Sequence, residues 1–215
     1  MAQQNALEVR QLRKQLGHKQ ILKAVTFAAV TGELVAITGA NGAGKTTLLR
    51  VIAGLARPSG GEVLWNGSSL RLDSRQAAYV SHQPILYGSL TVQENLEFFG
   101  RLYGTADPAK LQELLELVGL WLYRLEPAAV LSRGMQQRLA IARALIAEPA
   151  LILYDEPFTS LDENGREILR QVLENRRPRA VQLLVTHALE HLQGLPFREI
   201  RLEEGRSVPK EAAHG

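Results

Sequence analysis

Eight consecutive residues have the types and the spacing of a phosphate-binding loop. They match the pattern G-x-x-x-x-G-K-[ST] and are Gly39, Ala40, Asn41, Gly42, Ala43, Gly44, Lys45 and Thr46. Glycines let backbone N–H groups converge on a phosphate, and the N-terminus of a following helix attracts anionic oxygens. The pattern predicts that Lys45 bridges the β- and γ-phosphates of a nucleotide, that Thr46 binds Mg²⁺ and that Thr47 contacts the α-phosphate.

Two carboxylates, Asp155 and Glu156, come directly after the apolar run 151–154. A run without polar alternation is typical of a parallel strand that is covered on both faces. At the end of such a strand Asp155 can bind Mg²⁺, directly or through a water molecule. Glu156 is predicted to be the base that polarises the attacking water. The alternative is that both carboxylates only cap loops, and the presence of the phosphate loop disfavours it.

The elements around these residues occur in the order that a phosphate site requires. Short β-rich runs precede the loop at 7–12, 21–30 and 33–38, and 45–53 has the pattern of a helix that stops at Gly54. The chain after the loop is predicted to alternate again, with a helix to 147, a strand at 151–155, a helix at 163–176, a strand at 181–186 and a β-like run at 197–202. The polar residues 206–215 are predicted to fray.

Residues 91–119 change to helical periodicity, which predicts an inserted helical subdomain. Thr91 with Glu94 forms a capping box, and Asp107 with Pro108 begins a second helix. The inward faces are predicted to consist of Val92, Leu96, Phe99 and Leu102 in the first helix, and of Leu111, Leu114, Leu115 and Val118 in the second. We expect core packing, rather than a partner-facing aromatic patch, for Phe98, Phe99, Tyr103 and Trp121.

The composition excludes several classes of function. The 25 Lys and Arg residues nearly balance the 22 Asp and Glu residues, so the charge does not indicate a nucleic-acid partner and none is expected. The chain contains no cysteine, which excludes disulfides, thiolate metal sites and a cysteine nucleophile. No apolar run is long enough to span a membrane, and the first residues lack the apolar core of a secretory signal. We therefore expect a cytoplasmic protein whose membrane-spanning partners are separate chains.

Residues 131–138, Leu-Ser-Arg-Gly-Met-Gln-Gln-Arg, lie one helix upstream of Asp155 and Glu156. Together with the phosphate loop, this signature segment resembles that of the ATP-binding-cassette (ABC) ATPases, and the resemblance covers nearly the whole chain. It implies an α/β fold: a P-loop NTPase core with an N-terminal antiparallel β subdomain and an inserted α-helical subdomain. The expected boundaries within the single domain 1–215 are 1–83 and 131–205 for the core, 84–130 for the helical insert and 206–215 for the tail.

The resemblance also implies roles for residues that the phosphate pattern does not include. Gln83 resembles the glutamine whose amide oxygen binds Mg²⁺, and His187 resembles the histidine that holds the γ-phosphate and the attacking water. Ser132, Gly134 and Asp162 would contact an ATP held by the opposite subunit of a head-to-tail dimer. Two Mg-ATP would then lie between the two subunits, so that ATP binding closes the dimer and hydrolysis releases it.

The chain departs from the family pattern at three positions. Arg133 and Met135 replace a glycine and the glutamine of the family's Leu-Ser-Gly-Gly-Gln. We expect the Arg133 side chain to point away from the phosphates rather than to supply a further cation. Leu16 stands where an aromatic side chain usually stacks on adenine, so base selectivity is expected to be loose. The preference for ATP over GTP is an expectation from the family alone.

The resemblance implies an ATP-hydrolysing subunit of an ABC membrane transporter, working as a homodimer or paired with a second ATPase subunit. Integral membrane permease subunits would be its partners, and it would lie on the cytoplasmic face of the membrane. The segments 41–49, 54–58 and 131–135, the missing adenine aromatic and the short chain without a regulatory tail look most like the haem-exporter ATPases of cytochrome-c biogenesis.

Other functions are alternatives. An exporter ATPase of the drug, polysaccharide or lipid type would usually carry an additional C-terminal stretch. A non-transport ABC ATPase would usually need a coiled-coil insertion or a second cassette, and neither is present in the sequence. The third alternative is a nucleotide-binding module without turnover, and intact Lys45, Asp155, Glu156 and His187 argue against it.

Overall fold

A computed structural model describes residues 6–69 and 76–209. Its first sheet is antiparallel, as predicted for the N-terminal subdomain. The strands of this sheet are β1 (Ala6–Leu16), β2 (Lys19–Val30), β4 (Gly60–Trp65) and β5 (Ser68–Ser69), in the spatial order β2-β1-β4-β5.

The second sheet is mixed and carries the predicted catalytic strands. It consists of β3 (Leu34–Thr38), β6 (Ala77–Val80), β7 (Leu151–Asp155), β8 (Val181–Val185), β9 (Arg198–Glu203) and β10 (Arg206–Pro209). Their order is β10-β9-β3-β8-β7-β6, and all neighbours are parallel except the pair β9 and β10. The phosphate loop follows β3 and Asp155 ends β7, and β8 lies between these two strands. Because the strands are parallel, their carboxyl ends lie at the same edge of the sheet.

Helices cover both faces of this mixed sheet. They are α1 (Lys45–Ile52), α2 (Val92–Tyr103), α3 (Pro108–Leu117), α4 (Arg133–Leu145) and α5 (Glu163–Arg176). Alternation along β7 separates two cores: Leu151 and Leu153 pack with α1 and the antiparallel sheet, whereas Ile152 and Tyr154 pack with α2 to α5. This burial on both faces explains why β7 shows no polar alternation.

The predicted helix boundaries of the insert are confirmed by their caps. Thr91 and Glu94 form the capping box of α2, and the Asp107 side chain accepts the N–H of Ala109 at the start of α3. The predicted inward face of α3 is buried, but Leu102 of α2 is 62% exposed and was wrongly assigned to the inner stripe. The core contact in this turn comes from Tyr103, which follows Phe99 by four residues and lies on the same face of the helix.

Of the four aromatic residues expected to pack in the core, three do so: Phe99, Tyr103 and Trp121. Phe98 is 43% exposed, so the expectation of core packing is wrong for this side chain. Phe98 and Phe99 are adjacent in α2, and neighbouring residues of a helix point in different directions, so only one of them can face the core fully.

The first residues of the predicted tail form a strand. Arg206 pairs with Glu203 in an antiparallel hairpin, and the two residues of its turn, Glu204 and Gly205, have φ of 46° and 79°. Positive φ at both central positions is the geometry that suits a two-residue hairpin. Fraying was therefore the wrong prediction for 206–209, and residues 210–215 lie outside the described residues. Throughout 6–69 and 76–209, no helix has the length and apolar character needed to cross a membrane.

Candidate active site

The phosphate loop connects β3 to α1, and its backbone requires glycine. Gly39 has φ of 138° and Gly44 has φ of 103°, values that other residues rarely adopt. A Cβ on Gly39 would collide with the carbonyl oxygen of Leu202. Gly44 is also the N-cap of α1 and makes no side-chain cap, so the N–H groups of the first turn of α1 face the loop. This is the geometry that binds an anion.

Lys45 is held inside the loop by the loop itself. Its side chain is buried, and Nζ donates hydrogen bonds to the carbonyl oxygens of Gly39 at 2.8 Å and Ala40 at 3.1 Å. Burial lowers the pKa of Lys45, while the nearby carboxylates of Glu156 and Asp155 oppose this shift. Phosphate oxygens can replace both carbonyl oxygens as acceptors.

Thr46 and Asp155 form the second part of the site. The Thr46 hydroxyl donates to Asp155 Oδ1 at 3.0 Å, and Asp155 is only 1% exposed. The Tyr79 hydroxyl donates to the other oxygen, Asp155 Oδ2, at 2.7 Å. Tyr79 was not identified as a functional residue from the sequence. Its contact depends on how β6 lies beside β7, and the motif spacing carries no signal for that pairing.

The donor set of Thr46 and Asp155 fits Mg²⁺. Both supply hard oxygen ligands beside a loop that can bind phosphate, and Mg²⁺ in nucleotide sites is usually held by one or two carboxylates together with phosphate oxygens. No group of three or more His, Cys, Asp or Glu side chains that could hold a metal is present in 6–69 and 76–209. The ion would therefore depend on nucleotide phosphates for the rest of its ligands.

Glu156 and His187 are paired at the end of neighbouring strands. His187 Nε2 lies 2.9 Å from Glu156 Oε1, and both side chains are partly exposed. The Glu156 N–H donates to the Val185 carbonyl oxygen, and the Glu156 backbone has φ of 51°. A left-handed conformation costs about 1–2 kcal/mol in a residue with a Cβ. This conformation turns the chain sharply after Asp155, so the two consecutive carboxylates contact different partners.

Glu156 lies between two cavities. One has a volume of about 290 Å³ and borders the phosphate loop, with Asn41, Gly42, Lys45, Thr46 and Thr47 in its lining. The other, of about 220 Å³, is lined by His187, His191, Arg166 and neighbouring residues. Glu156 therefore borders the space next to the phosphate loop, and its carboxylate contacts His187. An acceptor in this position can take a hydrogen bond from a water molecule beside a bound phosphate.

Gln83 and Leu16, for which contacts with the ligand were predicted, line neither cavity. Gln83 follows β6 in an exposed loop, where its carbonyl oxygen accepts the Ser81 hydroxyl, and its side chain lines neither cavity. Leu16 ends β1 and is 55% exposed. In place of Leu16, Lys19 and Ile21 of β2 contribute to the lining of the cavity at the loop.

The residues predicted to act across a dimer interface make local contacts within the chain. Ser132 caps α4, where its Oγ accepts the N–H of Met135 at 3.3 Å. Asp162 caps α5, where its Oδ1 accepts the N–H of Gly165 at 2.8 Å. A Cβ on Gly134 would come within 2.8 Å of the Ser160 carbonyl oxygen, so the signature segment packs closely on the loop before α5. Arg133 is exposed.

The chain is similar to known ATP-binding proteins. The family described as "ABC transporter" matches residues 22–159. The cytochrome c biogenesis ATP-binding export protein CcmA of Salmonella typhi is 41% identical over 186 residues, which cover 84% of this chain and 89% of that protein. The protein of the same name from Escherichia coli O157:H7 is 38% identical over 207 residues, covering 94% and 99%.

A solved structure of an ATP-binding subunit of an ABC transporter has the same fold. The two superpose with a TM-score of 0.85 at 34% identity, over 94% of this chain and 87% of the other. The family, the relatives and the fold all point to the same class of protein. The chain therefore belongs to the ABC transporter family and is one of its ATP-binding, ATP-hydrolysing subunits.

Proposed function

We propose that this ATPase powers an exporter that serves cytochrome c biogenesis, with haem as the cargo and separate permease subunits in the membrane. The similarity to the CcmA proteins over most of both chains supports the export assignment. The observation that carries the hydrolytic role is the position of Glu156, which borders the cavity at the phosphate loop and whose Oε1 lies 2.9 Å from His187 Nε2.

Nucleotide binding is proposed to begin at residues 39–46. The N–H groups of the loop and of the first turn of α1 receive the phosphates, and Lys45 exchanges the Gly39 and Ala40 carbonyl oxygens for β- and γ-phosphate oxygens. Thr47 contacts the α-phosphate. Thr46 and Asp155 hold Mg²⁺, which when bound neutralises charge on the phosphates. Gln83 is proposed as a further Mg²⁺ ligand, which requires the exposed loop after β6 to move toward the site.

The hydrolytic step is proposed to use Glu156 as the base. Its carboxylate accepts a hydrogen bond from the attacking water and receives the proton as the water attacks the γ-phosphorus. His187 orients Glu156 through the 2.9 Å contact and contacts the γ-phosphate. The leaving group is ADP, whose developing negative charge Lys45 and the loop N–H groups stabilise.

Ser132, Gly134 and Asp162 are proposed to contact the nucleotide of a second subunit. None of the three lines either cavity beside the chain's own loop. Ser132 and Asp162 are exposed at the N-termini of α4 and α5, where the helix field favours an anion. A facing subunit could therefore bring its phosphates to these two helix ends, as in a head-to-tail dimer of two identical or paired ATPase subunits.

The helical insert is proposed to contact the permease on the cytoplasmic side of the membrane. Tyr87 and Phe98 are 48% and 43% exposed, and their rings meet edge to face at a centroid distance of 4.9 Å. Ile85 and Leu102 add further exposed apolar surface in the same segment. A cluster of large apolar side chains on the surface is typical of a protein-binding site.

The export assignment can be tested in cells that carry Glu156→Gln in place of the natural chain. We expect covalently bound haem in c-type cytochromes to fall to background, because the exporter binds ATP without turnover. Haem proteins that bind haem non-covalently serve as the control and should be unchanged. The tagged chain should also purify from solubilised membranes with integral membrane subunits. Normal c-type cytochromes in these cells would overturn the assignment, even if the purified variant lacks ATPase activity.

A further inference from the structure

We propose that Tyr79 is a positioning residue, which orients the Asp155 carboxylate toward Thr46 and the bound Mg²⁺. This inference rests on the proposed role of Asp155 as a Mg²⁺ ligand. It is carried by the hydrogen bond of 2.7 Å from the Tyr79 hydroxyl to Asp155 Oδ2, on the side of the carboxylate away from Thr46.

The parallel pairing of β6 with β7 brings Tyr79 to Asp155. Tyr79 lies opposite Leu153, and Asp155 follows Leu153 by two residues on the same face of the sheet. The Tyr79 ring packs on the core that contains α1 and Leu153. From there the long side chain reaches along the face to the end of β7, where the carboxylate meets the N-terminus of α1. A shorter polar side chain at 79 would not cover this distance.

The two hydroxyls hold the carboxylate at both oxygens. Thr46 donates to Oδ1 and Tyr79 donates to Oδ2, in a site where Asp155 is 1% exposed. With Mg²⁺ bound, Thr46 and Asp155 would both be ligands of the ion. The Tyr79 hydroxyl would still donate to the carboxylate and hold it in place for the ion.

The chemistry of Tyr79 suits this role. A phenol hydroxyl is protonated at neutral pH, so it can donate to a carboxylate. A phenol donates without carrying a positive charge. Unlike a lysine or arginine at this position, it therefore does not compete with Mg²⁺ for the negative charge of Asp155.

A purely structural role for the hydroxyl is the alternative, and the chain contains a matched control. Tyr154 is the residue before Asp155 and is fully buried on the opposite face of β7. Its hydroxyl donates to Gln182 Oε1 at 3.3 Å, remote from the phosphate loop. Tyr79→Phe and Tyr154→Phe each remove one hydroxyl and keep the ring, but only the first touches the proposed ion site.

The test measures binding of a fluorescent ATP analogue to the full chain as Mg²⁺ is titrated. Tyr79→Phe should raise the Mg²⁺ concentration at half-saturation about tenfold, a typical effect of removing a residue that supports a metal ligand. Binding of the analogue in EDTA should be unchanged, and excess Mg²⁺ should restore most of the ATPase rate. Tyr154→Phe should leave the Mg²⁺ midpoint where it is, even if it lowers the thermal midpoint of unfolding.

Asp155→Asn distinguishes a failure of the positioning role of Tyr79 from a failure of the Mg²⁺-ligand role of Asp155. If Asp155→Asn raises the Mg²⁺ midpoint and Tyr79→Phe does not, Tyr79 is only structural and the positioning role is wrong. If Asp155→Asn also leaves the midpoint unchanged, the assignment of Asp155 as a Mg²⁺ ligand fails first. Equal shifts in Tyr79→Phe and Tyr154→Phe would likewise overturn the inference, because the control cannot reach the ion.

Discussion

Glu156 shows at the scale of one residue how two adjacent carboxylates can have separate tasks. Asp155 is extended at the end of β7 and faces Thr46, whereas Glu156 adopts φ of 51° and faces His187. The left-handed backbone is unfavourable for glutamate by about 1–2 kcal/mol. A residue held in such a conformation beside a nucleotide site is a strong candidate for function.

Arg133 is the residue at which the signature segment departs most from its family. Because its side chain is exposed, we expect Arg133→Gly to leave the ATPase rate within a few-fold of the natural chain. Ser132→Ala is the comparison, since it removes a hydroxyl that caps α4 and is proposed to contact the facing nucleotide. Steady-state ATPase measurements check both. A loss of about tenfold in Arg133→Gly, about 1.4 kcal/mol, would instead indicate a phosphate contact.

At the scale of elements, α4 connects the signature segment to the loop that follows β6. Arg143, near the end of α4, donates from Nη1 to the Ile85 carbonyl oxygen at 2.6 Å. Its guanidinium also lies over the Phe99 ring of α2, 4.9 Å from the centroid. Burial lowers the pKa of Arg143, with the nearby tyrosines opposing this shift. One side chain thus joins α4, α2 and the segment that carries Gln83.

Arg143→Met should destabilise the protein by about 2 kcal/mol, because the Ile85 carbonyl oxygen loses a charged donor and Phe99 loses its cation. The methionine keeps an apolar stem, so the packing is largely preserved. Urea unfolding with an unchanged m-value checks this prediction. The control is Arg101→Met on α2, whose arginine is 76% exposed and pairs with Glu97 on the surface. A similar loss of stability in both variants would contradict the prediction.

For the molecule as a whole, the cavity at the phosphate loop is lined by the loop, by β2 and by Glu156. The chain's own Ser132 and Asp162 cap helices and line neither of the two cavities beside Glu156. A second subunit in head-to-tail orientation would cover the nucleotide with these two helix ends. Binding of ATP would then stabilise the dimer by the contacts that only the triphosphate can make.

Glu156→Gln should form a stable dimer in Mg-ATP. The amide keeps the size of the side chain but cannot accept the proton of the attacking water, so the nucleotide remains intact between the subunits. Size-exclusion chromatography with light scattering measures the mass in Mg-ATP, and the same variant in Mg-ADP is the control, expected to be monomeric. A variant that stays monomeric in Mg-ATP would argue against the two-subunit sandwich.

Features that depend on residues close together in the chain were predictable from the sequence. The phosphate loop needs glycines at fixed spacing before a lysine. The N-caps of α2, α3 and α5 need a polar side chain that accepts a hydrogen bond from a backbone N–H two or three residues later. Asp155 and Glu156 were identifiable because an apolar strand leads directly into them. The order of these segments was enough to indicate the family and the fold.

Contacts between distant segments were not predictable from the sequence, because they depend on the tertiary structure. Tyr79 reaches Asp155 because β6 pairs with β7 in one register, and Arg143 reaches Ile85 because α4 packs beside α2. Phe98 rather than Phe99 faces outward for the same reason, since packing chooses which side of α2 is covered. Strand register and helix packing result from summed burial over many residues, so no local spacing encodes which side chains they bring together.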